Sequence, residues 1–433
     1  MKTLNPRYLY LIAALCGNAM LACGEDSTRV APAFVNEARA ALSGGLVLPE
    51  GFQAAVFADG LGAARHLAVN NNGDVYVKLA SRKNGQTIIR LRDAKHEGRA
   101  SDISGFANYK GTGIAIKNGY LYASSDEDIY RYKLDAQNNV ISDKPEIVVK
   151  GLLSRGEHEA KAIALDDDGN LYVNIGAYSN ACQVVDRKKG SPGMNPCPIL
   201  DSAGGIWQFK TAKLNQTYGD GVRYATGLRN VVGIRWNTAT HSLFVMQHGR
   251  DQLHDLFPDL YDSKQSAELP AECMYELHKG SNCGWPYIYY DQFRHAKILA
   301  PEFGGDGKKT AGGDAQDPVV AFPGHMAPND LLFYSGSQFP AKYRNGAFIA
   351  FHGSWNRAPE PQKGYLVAFV PFKDGKPSGE WEVFADNFSG SPEQTASGRA
   401  DHRPCGLAEG PDGSIYVCDD NKGTVWKITY SGK

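Results

Sequence analysis

The stretch Leu67-Ala68-Val69-Asn70-Asn71-Asn72-Gly73-Asp74-Val75-Tyr76-Val77 decides how this chain folds. Apolar residues alternate on either side of an Asn-Gly-Asp turn. Asn-Gly supplies the positive φ angles that a tight hairpin needs, and the flanking period of two marks half-buried strands. The same unit recurs over 114–123 about Asn118-Gly119, over 163–173 about Asp168-Gly169, over 234–245, and over 407–417 about Asp412-Gly413. A sixth, divergent unit is expected from Gly346 through Phe351 to 365–370. A hairpin cannot bury its own apolar face, so such an array must stack its members. For a Gly-rich all-β chain the radial solution is a propeller. The expected fold is therefore all-β, a β-propeller over 45–433 with long inter-blade loops at 178–225 and 258–325; six units favour six blades, although the repeats alone also permit five or seven. Loops of that length inside a compact domain tend to carry function.

Composition agrees and removes some partners. The 48 glycines and 22 prolines exceed what a helical protein would carry, and point to many turns. A formal net charge of −1 leaves no basic footprint for nucleic acid. At the N-terminus, Lys2 and Arg7 precede an apolar run over 8–15 and then Met20-Leu21-Ala22-Cys23. This pattern describes an export signal over 1–22, too short to span a bilayer. The small residue before Cys23 reads as a lipobox, with Cys23 lipidated, 23–44 serving as a tether, and membrane contact through that anchor alone. The protein is then expected in the cell envelope or periplasm. Cys182 with Cys197, Cys273 with Cys283, and Cys405 with Cys418 form three sequence-local pairs. In an oxidising compartment they are disulfide candidates, although their count leaves other connectivities open.

Polar clusters interrupt the strand pattern at recurring places. Arg65, His158 with Lys161, Arg229-Asn230 and Arg403 each stand a few residues ahead of a hairpin's first strand. Equivalent positions in successive blades share one rim, so these side chains should form a cationic bowl with a histidine in it. Such a bowl suits an anionic ligand and a general base. Further clusters are 247–251, 325–329 and 352–357.

The runs Ala225-Thr226-Gly227-Leu228-Arg229-Asn230, Gly284-Trp285-Pro286, His325-Met326-Ala327-Pro328, His352-Gly353-Ser354-Trp355-Asn356-Arg357 and Arg403-Pro404-Cys405-Gly406-Leu407-Ala408 stand in order along the chain. Together they resemble the pyrroloquinoline-quinone (PQQ) sugar dehydrogenases, the soluble glucose, sorbosone and pyranose dehydrogenase propellers. The resemblance implies PQQ, a planar tricarboxylate quinone, as cofactor, with Ca²⁺ bridging it to the protein. His158 then corresponds to the base that takes the sugar's hydroxyl proton as hydride passes to the quinone. Arg229 and Asn230 correspond to the pair on the quinone oxygens. Gly249 and Arg250 correspond to the stretch whose backbone carbonyls bind Ca²⁺. Arg65, Lys161, His325, Arg357 and Arg403 correspond to cofactor-binding positions, the last two near carboxylate-binding ones. Two departures stand out: Lys161 replaces an expected arginine, and His325 replaces a small hydroxyl residue of the glucose branch. The implied function is oxidation of an aldose, pyranose or sorbosone-like sugar, with electrons leaving to an external acceptor because no haem or flavin motif is visible. The rival readings are a non-catalytic propeller binding module and a lactonase-type metal hydrolase. The second needs inward Glu, Asn and Asp ligands where Arg and His stand instead.

Overall fold

The structure, a computed structural model, describes residues 43–432. The expected export signal over 1–22, Cys23 and all but the end of the expected 23–44 tether lie outside the described residues.

Six sheets of four or five strands make up the fold. Their first strands are Ala64–Val69, Ile114–Lys117, Ile163–Leu165, Val231–Asn237, Pro328–Phe333 and Pro404–Glu409. Each packs against the first strand of the next sheet, and the sixth packs against the first, which closes a ring. The chain is a six-bladed β-propeller, with blades 1 to 6 in that order. Blade 6 takes its outermost strand from the other end of the chain. Phe52–Ala58 pairs antiparallel with Val425–Tyr430, Phe52 opposite Tyr430 and Val56 opposite Trp426. That ladder ties the first strand to the last, so the ring cannot open without breaking it.

The core lies between blades. Strand side chains alternate in direction, so each sheet offers one apolar face to each neighbour. In blade 1, Tyr76 and Ile88 pack with Leu121 and Tyr132 of blade 2. Val75 and Val77 point the other way, toward Tyr416 and Val425 of blade 6. The blade 5–6 interface is the most aromatic, with Phe52, Tyr343, Phe348 and Phe384 meeting largely edge to face.

Five of the expected hairpins are the first two strands of blades 1, 2, 3, 4 and 6. The sixth is corrected. The segment read from Gly346 to 370 is the second strand pair of blade 5, Ala347–Phe351 with Leu366–Val370, and the first strand is Pro328–Phe333. Its turn is long, so no tight-turn signal marks it. The long insertions also differ from expectation. They lie within blades 3 and 4, between consecutive strands of one sheet, and not between blades.

Of the three cysteine pairs, only Cys182–Cys197 is bridged. Cys273, Cys283, Cys405 and Cys418 are buried free thiols. Pairing shifts register between Pro404 and Gly406, so Gly406 and not Cys405 faces Cys418. The Cys405 sulfur accepts from Asn329 Nδ2 at 3.5 Å, while Cys418 Sγ lies against the Ala64 and Arg65 carbonyls. Cys273 donates to the Ala271 carbonyl. Burial pushes Cys273 and Cys405 up to about 12, so both stay protonated at neutral pH.

Candidate active site

His158 stands in the turn leading to the first strand of blade 3, in the left-handed region at φ 51°. Its Nδ1 meets the Ala177 carbonyl at 2.5 Å. A carbonyl only accepts, so Nδ1 carries the proton and Nε2 keeps its lone pair. Burial, with Arg229 close by, pushes the imidazole down to about 3, so it is neutral at physiological pH. The same peptide secures the next residue: Ala177 N donates to the Arg229 carbonyl at 2.8 Å. Gly176 makes this close approach feasible. A Cβ there would lie 2.5 Å from the His158 carbonyl oxygen and 2.6 Å from its Cβ.

Arg229 is buried at the start of blade 4. Its Nη1 donates to the Gly249 carbonyl at 2.9 Å and its Nη2 to Asp251 Oδ2 at 2.8 Å, while Nε is buried without a partner. Asp251 is the hub of the site. It also accepts from Arg187 Nη1 at 3.1 Å and from Asn356 Nδ2 at 2.7 Å. Burial alone would raise its carboxyl, but the Arg229 and Arg187 guanidinium groups hold it well below the usual carboxylate range. His325 Nε2 donates to the Ser266 and Leu269 carbonyls, which leaves Nδ1 to accept from Asn356. Glu272, on the third strand of blade 4, fastens two turns together. Its carboxyl accepts from Gly249 N at 2.9 Å and Ala327 N at 3.3 Å, and burial pushes it up to about 7.

These groups surround one cavity of about 620 Å³, its open mouth included. His158, Arg229, Asn230, Gly249 and His325 line it, together with Arg187, Asp251, Glu272 and Trp355, for which the sequence reading assigned no role. Trp355 is 70% exposed, a flat apolar ring at the cavity edge. Asp251 and Trp355 sit inside polar runs already visible in the sequence. Glu272 could have been noticed as a charge at an inward strand position, whereas nothing in the loop around Arg187 marked it.

The other expected site residues stand elsewhere. Arg65 pairs with Asp420 at 2.8 Å, and Asp420 pairs with His352 Nε2 at 2.7 Å. Arg403 donates to the carbonyls of His352, Gly353 and Ser354. This second cluster adjoins the first through His248, which feels Arg229 on one side and Arg65 and His352 on the other. Arg357 spends its guanidinium on the Ala267, Gly324 and Pro361 carbonyls and on Glu268. Lys161 is buried, with Nζ on the Glu159 carbonyl at 2.7 Å, and burial pushes it down to about 8. The Arg250 side chain pairs with Glu302 inside the protein. None of Arg65, Lys161, Arg250, Arg357 and Arg403 lines the cavity.

Solved structures of similar fold include proteins named as sugar dehydrogenases. The Trichoderma reesei protein of Carbohydrate-Active Enzymes Family AA12 superposes with a TM-score of 0.72 at 20% identity, covering 89% of this chain and 98% of that one. The holo PQQ domain of Coprinopsis cinerea pyranose dehydrogenase gives 0.70 at 20% identity, covering 89% and 97%. Similarity at this identity shows a shared fold. Among curated relatives, a PQQ-dependent sugar dehydrogenase of Hypocrea jecorina is 21% identical over 89% of both chains. The PQQ-dependent pyranose dehydrogenase of Coprinopsis cinerea is 28% identical over 55% of this chain and 36% of that longer protein. The class is thus that of the PQQ-dependent sugar dehydrogenase propellers. Within it, the TrAA12-like family model matches residues 46–431, and the chain belongs to that family.

The cavity suits PQQ by its donors. A buried guanidinium nitrogen of Arg229 has no partner, and a second arginine, Arg187, lines the same cavity; guanidinium donors suit an oxygen-rich anion. The Gly249 carbonyl accepts one hydrogen bond, from Arg229, and keeps a second lone pair, so that contact does not decide for or against Ca²⁺; no step below runs through a metal.

Proposed function

We propose that this chain oxidises a sugar of the aldose, pyranose or sorbosone type, with PQQ held in the cavity of His158 and Arg229. One observation carries the reading: a neutral imidazole with a free lone pair lines the same recess as a guanidinium locked in place by Asp251. PQQ, when bound, supplies a two-electron hydride acceptor. His158 Nε2 takes the proton of the sugar hydroxyl whose carbon is oxidised. The hydrogen bond from Nδ1 to Ala177 fixes the tautomer for that task and steadies the imidazolium that results. Arg229 holds positive charge where negative charge develops, and it needs no reorganisation because Gly249 and Asp251 already orient it. The exposed ring of Trp355 offers an apolar face of the kind that pyranose C–H groups stack on. Electrons then leave to an external acceptor.

Purified apoprotein, titrated with PQQ with and without Ca²⁺, should take up the cofactor and bleach an artificial acceptor with members of a sugar panel. No uptake under either condition would sink the reading. We also propose export as a lipoprotein through Cys23. Cys23→Ser should move the protein from the membrane fraction to the soluble fraction. Partition of the unaltered chain into the soluble fraction would refute the anchor.

A further inference from the structure

The expected carboxylate-binding arginines have no hydrogen-bonding capacity turned to the cavity. Arg357 has committed all three guanidinium nitrogens to carbonyls and Glu268; Arg403 holds three carbonyls through Nε and Nη2 and keeps Nη1 without a partner among the described residues, but neither side chain lines the cavity. A tricarboxylate in this recess must find another fork. Arg187 has one. It lines the cavity, its Nη1 is anchored on Asp251 and Gln252 at 3.1 Å each, its Nε on Glu157 at 3.3 Å, and its Nη2 has no partner among the described residues.

The loop that delivers Arg187 is built for the purpose. It runs between Cys182 and Cys197, the one disulfide among the described residues. Asp186, next in sequence, accepts from Ser179 Oγ and Asn180 N. Asn180 in turn bonds the Asp251 backbone in both directions, its Oδ1 accepting from Asp251 N at 2.8 Å and its Nδ2 donating to the Asp251 carbonyl at 3.1 Å. The bridge and this two-point junction clamp the loop to the turn that carries Asp251. Arg187 itself is held at φ 53°, a conformation that a non-glycine residue keeps only where its surroundings impose it.

We infer that Arg187 binds a carboxylate of the cofactor, and that the Cys182–Cys197 bridge positions it to do so; this rests on PQQ being the ligand of the cavity. A carboxylate contact differs from a merely structural role in one measurable way: it discriminates PQQ from its trimethyl ester. Equilibrium dialysis of both ligands against the full-length apoprotein reads this without any turnover. For the unaltered chain PQQ should bind more tightly than the ester. In Arg187→Ala the Kd for PQQ should rise by about tenfold or more, as expected for loss of a charge-assisted pair, while the Kd for the ester changes little. Arg187→Lys should keep part of the discrimination. Replacing both Cys182 and Cys197 by Ser should weaken PQQ toward the Arg187→Ala value, and combining the three changes should add little, because bridge and arginine act through one contact. Equal weakening of both ligands in Arg187→Ala, or an unchanged Kd for PQQ, would overturn the assignment. Full additivity with the cysteine changes would overturn the role of the bridge. No PQQ uptake by the unaltered chain would instead remove the cofactor reading on which the assignment stands.

Discussion

His158→Asn is expected to lower kcat by about 10²–10⁴-fold, the usual contribution of a positioned general base. Cofactor uptake and thermal stability should stay close to those of the unaltered protein. Asparagine is the informative choice because residue 158 sits at φ 51°, where asparagine is tolerated and alanine adds strain. It also keeps a short polar side chain but cannot take a proton. Gly176→Ala should give a related loss by a different route. Its methyl would press on the carbonyl and Cβ of His158 from within 3 Å, so the imidazole must move away from the position that Ala177 sets. Steady-state kinetics on loaded enzyme, with PQQ content measured alongside, separates chemistry from binding. If His158→Asn turns over normally, the base is another group; cofactor uptake without turnover in the unaltered chain would instead make a propeller that only binds its ligand the better description.

The second large effect is loss of stability in mild acid. His66, His158, His248, His325 and His352 are all held below their ordinary value, in each case chiefly by burial. Each is neutral in the folded chain and becomes protonated near pH 6.5 once unfolded. The unfolded state therefore binds more protons as pH falls, and stability falls with pH. Each such histidine removes about 1.4 kcal/mol per pH unit below its unfolded value until its folded value is reached. For His158 and His248 that window reaches down to about 3. Those two alone remove about 4 kcal/mol between pH 7 and pH 5, a large part of the 5–15 kcal/mol typical of a domain. Glu272 acts in the opposite sense. Its raised carboxyl favours the folded state as pH falls below about 7, by about 2–3 kcal/mol at pH 5, which offsets somewhat more than one of these histidines. Urea midpoints at pH 7 and pH 5, compared at unchanged m, should show the loss. Equal midpoints would mean that the imidazoles accept protons in place, and their burial would not carry the weight given to it here.

Five of the six hairpin turns were readable because their code is short in range. Asn-Gly and Asp-Gly fix the turns of blades 1, 2, 3 and 6 by backbone sterics, and alternation alone marks blade 4, so all five are written in stretches of about a dozen residues. Where the turn lengthened, as between Pro328–Phe333 and Ala347–Phe351, the local signal failed and the first strand went unread. His158, Arg229, Asn230 and His325 were legible for the same reason: each follows from a fixed offset to a strand or from a motif, and the ring brings them to one recess.

What the tertiary structure alone decided is which charges pair. Arg357 and Arg403 look as available in sequence as Arg229 does. Only packing shows that carbonyls from distant turns take up the first two, while Asp251 and Gly249 aim the third at the cavity. Asp251, Glu272 and Arg187 owe their roles to contacts across blades and insertions, and a side chain's partner at such separations leaves no periodic trace. The cysteines follow the same division. Their spacing proposes three bridges, but a register shift in blade 6 turns Cys405 toward Asn329 and away from Cys418, and that shift exists only once the strands have paired.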